Sequence, residues 1–308
     1  MNGLILVNKP QDFTSHDIVN QLRNVLNFQR IGHFGTLDPL ATGLLAVGIG
    51  QATRLFPFFS KLNKFYRGQI RLGFSTNTYD CKGETSSSEV KNFPDRKKIL
   101  DYISSFKGEL FQTPPPFSAK KYRGKPAYYF ARKKIKVNIS PVKVKIFNFQ
   151  LNDYDPPFID FNMECSSGTY IRSIANDLGN KLGCGGHLTK LERTKIGIFH
   201  LKESHTIEEI DNFCSKKQFS KFIIPLESLF PEFPKVILRE KGTNRARNGN
   251  FISLENILKI VPSESKYTNY VSKNEEIFRL FNPEGRVVAF ANKSNKEYGF
   301  DPFLVFNN

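Results

Sequence analysis

The 308-residue chain is poor in cysteine, has no long apolar run, and carries no acidic residue where its basic charge is densest. Its four cysteines, at 81, 165, 184 and 214, form no C-x-x-C pair, and the histidines complete no zinc pattern. Neither a disulfide framework nor a metal is expected. No apolar stretch reaches the length of a membrane span. The N-terminus, Met1 to Lys9, lacks a basic leader and a small-residue cleavage site; it reads as a first strand, and the expected location is cytoplasmic. There is no internal repeat and no long low-complexity tail. Gly48-Ile49-Gly50 is followed by Ala52 and Thr53, so the dinucleotide fingerprint is incomplete, and Gly183-Cys184-Gly185-Gly186 follows a helical pattern instead of a strand. No nucleotide cofactor is expected.

What is present is a globular composition, 39% hydrophobic with 30 phenylalanines, and a net charge of +16. The length suggests two domains. Residues 1–60 hold four Lys/Arg and three Asp/Glu, residues 61–150 twenty and six, and residues 151–308 twenty-one and twenty. The excess therefore sits in one third of the chain, as an electrostatic footprint for a polyanion requires. From Lys120 to Lys145 there is no carboxylate, and Tyr122, Tyr128, Tyr129 and Phe130 interleave with the cations, a composition suited to nucleic-acid stacking.

One loop stands out. Gly32-His33-Phe34-Gly35-Thr36-Leu37-Asp38-Pro39-Leu40-Ala41-Thr42-Gly43 combines three glycines, a proline and one carboxylate, and a buried strand, Leu44 to Ile49, follows at once. By itself Asp38-Pro39 also fits a plain turn. Around it, Thr14 and Asp17 suggest a capping box before a helix ending near Asn27. A short helix is expected over 52–59. Lys64 to Phe74 alternates as a strand, with Tyr66, Gly68, Ile70, Leu72 and Phe74 on one face. Residues 75–92 read as a mobile polar loop. A helix over 95–106 turns Ile99, Leu100, Ile103 and Phe106 inward. Pro114 to Pro116 opens a basic insertion; strands follow at 142–151 and 158–165, then a helix from Thr169 to Leu182 with Arg172 in its first turn. After a helix near 206–213, the segment 222–226 resembles a boundary, and short strands at 236–238, 249–252, 277–281 and 287–291 suggest a small β-rich domain.

A rigid carboxylate, an inward tyrosine, an arginine at a loop–helix junction and a basic projection have one joint explanation. The chain resembles the TruB family of tRNA pseudouridine-55 synthases. The resemblance is carried by Lys9-Pro10 with Thr14-Ser15; Gly32-His33 with Gly35 to Gly43; Ala52-Thr53-Arg54; Lys64 with Tyr66; Pro115-Pro116 with Ser118-Ala119; Cys165-Ser166 with Gly168 to Arg172; and Leu191 with Arg193-Thr194 and Ile196-Gly197. These stretches cover residues 3–200 in the family's order.

The resemblance implies isomerisation of a uridine in the tRNA TΨC loop, without cofactor, by a stand-alone monomer that needs no obligate protein partner. It implies an α+β pseudouridine synthase fold: a mixed, largely antiparallel sheet with flanking helices. Residues 1–225 would be catalytic, with a thumb-like insertion at about 110–145, and residues 226–308 a PUA-like RNA-binding domain. Asp38 would be the essential carboxylate and Arg172 its partner. Tyr66 would stack on the base and assist proton removal, Leu191 would pack beneath it, and His33 would fill the space of the displaced nucleotide. Tyr170, Lys9, Lys64, Lys120, Lys121, Arg123 and Lys125 complete the expected substrate contacts. Four positions depart from the family pattern: Asp12 for a glycine, Phe34 for a small residue or threonine, Ser167 for a lysine and Glu192 for an arginine. Phe34 is expected to alter how displaced nucleotides are accommodated, and the set to affect RNA affinity more than chemistry. An RNA-binding or RNA-folding protein with lost catalysis, and a relative acting on another RNA, are the alternatives.

Overall fold

β1 (Gly3–Lys9) buries both faces: Leu4 and Leu6 enter one core, Ile5 and Val7 another. Such two-sided burial is why its sequence is a continuous apolar run and not an alternation. The computed structural model describes residues 1–263, 277–295 and 298–306. α1 (Ser15–Leu26) begins on the Thr14–Asp17 capping box and stops where Asn27 turns left-handed. β2 (Ile31–His33) and β3 (Thr42–Ile49) flank the Asp38 loop. In place of one helix over 52–59, a tight turn over Gly50–Leu55 precedes α2 (Phe56–Lys61). Pro57, in the first turn of α2, favours a fresh helix start there.

β4 (Lys64–Leu72) alternates as its sequence predicts, with Tyr66, Ile70 and Leu72 in one core. Residues 75–92 are anchored, contrary to the expectation of a mobile loop. Thr76 bridges Thr85, Asp80 bridges Leu188, and Ser75, Thr76 and Asp80 are buried. The polar side chains bond back to the local backbone, as in Thr76 Oγ1 to Asp80 O at 2.7 Å. In α3 (Arg96–Ser105), capped by Asp95, Ile99 and Ile103 face inward and Phe106 follows them. Leu100, expected inward, is 44% exposed; it lies about 100° round the helix from Ile99.

β5 (Gly108–Gln112) pairs with β8 (Val142–Asp155), Gln112 facing Val142, so the insertion leaves the sheet only over residues 113–141. Within it, β6 (Lys121–Tyr122) and β7 (Lys125–Pro126) form a hairpin whose turn residues, Arg123 and Gly124, both have positive φ; α4 (Ala127–Arg132) follows. β9 (Phe158–Cys165) leads to α5 (Ile171–Leu182), two residues later than expected. Tyr170 is held extended because the Gln112 side chain bonds both its N–H (2.7 Å) and its carbonyl (3.0 Å).

β10 (Gly186–Ile196), β11 (Phe199–His200), α6 (Ile207–Ser215) and β12 (Ile223–Ile224) complete the first sheet and its cover. Its path runs β12-β1-β3-β10-β4-β9-β8-β5, with β2 on β3 and β11 on β10. Among the described strand pairs of this sheet, only β3–β10 is parallel. The second sheet contains β13 (Lys235–Leu238), β14 (Ile252–Ser253), β15 (Ile257–Val261), β16 (Ile277–Phe281), β17 (Val287–Lys293) and β18 (Gly299–Val305), with α7 (Glu240–Arg247) against it.

The two sheets share a core. Phe34 and Phe59 stack at 4.4 Å, Phe59 meets Phe230 at 5.3 Å, and Phe230, Phe233, Phe290 and Phe306 continue the cluster into the second sheet. α3 and α5 cover the sheet face that carries Tyr66.

Candidate active site

The loop from Phe34 to Ala41 is held from several sides. Ser15 Oγ accepts from the Leu37 N–H (2.8 Å) and donates back to its carbonyl (3.2 Å). The Asp12 N–H donates to Pro39 O at 2.8 Å, and Ala41 N–H to Asp38 O at 3.0 Å. Gly43 closes the loop at φ 97, where a Cβ would lie 2.5 Å from Arg193 O. Only glycine allows β3 to approach β10 so closely.

Asp38 projects from this loop with its side chain 35% exposed. Arg172 grips it with two bonds of 2.8 Å, Nε to Oδ2 and Nη2 to Oδ1. The same guanidinium donates to Thr78 O and Phe117 O, each at 3.0 Å, and lies 3.6 Å from Asp80. A cation in the first turn of a helix opposes the helix dipole; here the carboxylate and two carbonyls offset that cost. The planar fork suits this bidentate geometry.

A cavity of about 420 Å³ opens beside Asp38. Tyr66, Tyr170, Ile171 and Leu191 line it, and Phe117, Ser118, Ala119 and Tyr128 bring the insertion in as a further wall. The Tyr66 phenol is pushed above its ordinary pKa by burial, with Arg193 pulling the other way. It is a neutral phenol at neutral pH. Burial also raises Tyr170. The structure thus gathers Asp38, Arg172, Tyr66, Tyr170 and Leu191 around one space.

Two expected substrate contacts are elsewhere engaged. Lys9 is fully buried, its ammonium donating to Pro10 O (2.8 Å) and Phe13 O (2.7 Å). Lys64 borders the cavity but its buried ammonium donates to Phe59 O (3.1 Å) and Leu62 O (2.6 Å). Burial lowers both to a pKa of about 8. Both ammonium groups are spent on nearby backbone carbonyls of their own segments and are not exposed phosphate contacts. His33 ends β2 outside the cavity lining; burial and Arg193 lower its pKa, and its Nδ1 is buried without a hydrogen-bond partner. Lys120, Lys121, Arg123 and Lys125 are exposed on and beside the hairpin. Lys125 lies 4.5 Å from the Tyr129 ring centroid, and Arg123 5.5 Å from that of Tyr122.

The departures resolve separately. Phe34 points into the aromatic core, so it is a packing residue and does not meet the cavity. Asp12 occupies a positive φ of 67, which explains a glycine preference, and pairs with Lys82 at 3.0 Å. Glu192 pairs with Arg67 at 2.5 Å, and Ser167 borders the cavity.

Arg193 stands in a matching stretch without an expected role, and Asp80 is not singled out by the sequence. Arg193 is 1% exposed and donates to Leu44 O (2.8 Å), Gly35 O (3.0 Å) and Thr36 O (3.4 Å). Its signal was its place two residues from Leu191, which strand periodicity puts on the same face. Asp80 gave no signal, because it sits in a polar segment whose fold depends on distant partners.

Among the described residues, no group of three or more His, Cys, Asp or Glu is arranged to hold a metal, and no helix is long and apolar enough to cross a membrane. Residues 23–171 match the model of the TruB family pseudouridylate synthase N-terminal domain, and residues 172–231 that of the tRNA pseudouridylate synthase B C-terminal domain. Relatives named tRNA pseudouridine synthase B include one from Solibacter usitatus, 40% identical over 81% of this chain and 85% of its own. Another, from Thermotoga maritima, is 37% identical over 94% of this chain and 89% of its own. The fold is similar to a chain in the structure of an H/ACA ribonucleoprotein bound to a substrate RNA containing 2′-deoxyuridine, with a TM-score of 0.72 at 22% identity, covering 99% of this chain and 85% of that one.

Proposed function

The chain belongs to the TruB family of tRNA pseudouridine synthases and is an isomerase that makes pseudouridine in tRNA; from that premise we propose that its target is uridine-55 of the TΨC loop and that Asp38 carries the chemistry. The observation that supports this most is the Asp38 carboxylate, held by both arms of Arg172 at the edge of a cavity lined by Tyr66 and Leu191.

Isomerisation breaks the bond from ribose C1′ to uracil N1 and forms one from C1′ to C5; C5 loses a proton and N1 gains one. Nothing is hydrolysed, so the site must hold the detached base and exclude water. Tyr66, Ile171 and Leu191 supply that wall. One carboxylate suffices, whereas a glycosidase needs a second to manage a leaving group and water. Asp38 acts as the reactive carboxylate, and Arg172 fixes its direction. Tyr66 stacks against the base as a neutral phenol. The uridine reaches this depth only by leaving its stack, at a cost of a few kcal/mol. Phosphate contacts from Lys120, Lys121, Arg123 and Lys125 offset that cost, and His33 takes the space the nucleotide vacates. Residues 1–225 form the catalytic part, and residues 226–308 act as a PUA-like RNA-binding part. The protein works as a monomer in the cytoplasm without a guide RNA.

The test is conversion of an isolated TΨC stem-loop transcript. Wild type forms pseudouridine at position 55, and Asp38→Asn binds the RNA but forms none. Product from Asp38→Asn overturns the role of Asp38; binding without reaction by wild type overturns the choice of substrate.

A further inference from the structure

We propose that Arg193 is a positioning residue that locks the Asp38 loop to the strand bearing Tyr66, so that carboxylate and phenol meet the base in one fixed geometry. The inference rests on the reading of Asp38 above.

A buried guanidinium is expensive unless its charge and its N–H groups are all compensated. Arg193 has no carboxylate within ion-pair distance among the described residues, since Asp38 is engaged by Arg172. Its compensation is three backbone carbonyls, two of them, Gly35 and Thr36, just before Asp38. The third, Leu44, lies on β3 beyond the loop. The guanidinium therefore ties the loop where it leaves β2 to the strand that follows it. Arg193 is also the cross-strand neighbour of Tyr66 between β10 and β4, and both side chains line the same cavity. It is thus bonded to the aspartate loop while sitting on the strand position that pairs with Tyr66, and it borders the cavity between them.

Ordinary packing does not call for this arrangement. A backbone carbonyl is satisfied by any neutral donor, and a neutral side chain would avoid the desolvation cost. A fixed fork reaching three carbonyls in different directions provides what a flexible donor does not, a single relative placement of the two segments. Misplacement of a reacting group by about 1 Å is enough to cost roughly 100-fold in rate. Arg193 touches no reacting atom; it acts through the placement of Asp38 and Tyr66.

The experiment compares Arg193→Lys with wild type on the TΨC stem-loop, measuring the single-turnover rate and the RNA dissociation constant separately, with folding followed by circular dichroism. Lysine keeps the charge and reaches at most part of the carbonyl set. The expected result is a folded protein whose rate falls about 100-fold while its affinity changes by less than about threefold. A rate within about threefold of wild type, or a parallel loss of rate and affinity, overturns the proposal. If the lysine variant does not fold, Gly35→Ala decides. Gly35 has a φ of 147, which a residue with a Cβ rarely adopts, while the added Cβ would only touch Arg193 Nη1 at 3.6 Å, so the substitution strains the loop backbone on an intact Arg193. The same split is then expected, and an unchanged rate overturns the proposal. An inactive wild type would instead count against the assigned substrate, so the two failures are distinguishable.

Discussion

Arg172 holds Asp38 by two parallel hydrogen bonds of equal length, 2.8 Å each, across 134 residues of sequence. The remaining donors of the same side chain reach the backbone of residues 78 and 117, so one guanidinium gathers the Asp38 loop, the anchored loop and the base of the insertion.

Arg172→Lys is therefore expected to lose both activity and stability. Lysine cannot keep the bidentate pair, and it leaves buried carbonyls without donors. Leaving a buried carbonyl without its donor costs about 1–3 kcal/mol. Urea unfolding, with single-turnover assays at a denaturant-free temperature well below the melt, checks both effects.

Tyr66→Phe separates stacking from hydroxyl chemistry. The ring and its burial remain, so RNA affinity is expected to hold. If the phenol takes part in proton movement, the rate falls by about 10²- to 10⁴-fold. A wild-type rate in the phenylalanine variant would leave Tyr66 with a stacking role alone.

Lys64 gives a pH prediction with a definite sign. Its folded pKa, about 8, lies below the ordinary lysine value of 10.5. Below pH 8 both folded and unfolded chains hold the proton, and the burial penalty is constant. Between pH 8 and 10.5 the unfolded chain binds more protons, so this group adds stability as pH rises. The stability of wild type relative to Lys64→Met is expected to improve from pH 8 to pH 10, as read by urea midpoints. A constant difference would contradict the lowered pKa.

Neutralising Lys120, Lys121, Arg123 and Lys125 together as glutamines is expected to weaken RNA binding without unfolding the protein, since all four are exposed. If each meets one phosphate, the slope of log affinity against log salt flattens by about 3. Fluorescence anisotropy over a salt series measures it. An unchanged slope would move the electrostatic footprint elsewhere.

Much of the site was legible because local chemistry repeats locally. Asp38 and the glycines of its loop, the alternation that turns Tyr66 inward, and Arg172 at a helix start all follow from short windows. What escaped depended on distant partners. β10 reads as polar because it carries Lys190, Glu192, Arg193 and Lys195, yet it is an interior strand between β3 and β4. Lys9 and Lys64 were expected as substrate contacts because sequence shows charge but not the carbonyls that receive it. β18 was hidden by Pro302, which sits beside a register shift opposite Ala291. α7 was hidden because its buried residues are the small Gly242, Thr243 and Ala246, which give no apolar stripe.

The aromatic cluster joining the two sheets has a consequence for how the protein melts and how it is cut. Phe34 adjoins the Asp38 loop and stacks on Phe59, and Phe59 in turn meets Phe230, whose neighbours Phe233, Phe290 and Phe306 extend into the second sheet. Heat should dissolve both halves in one cooperative transition. A protease cut near residue 225 should leave two fragments that stay bound to each other, and deleting the second half should strip the support from beneath the aspartate. The C-terminal part is thus a folding partner of the active loop, not a cassette that can be exchanged.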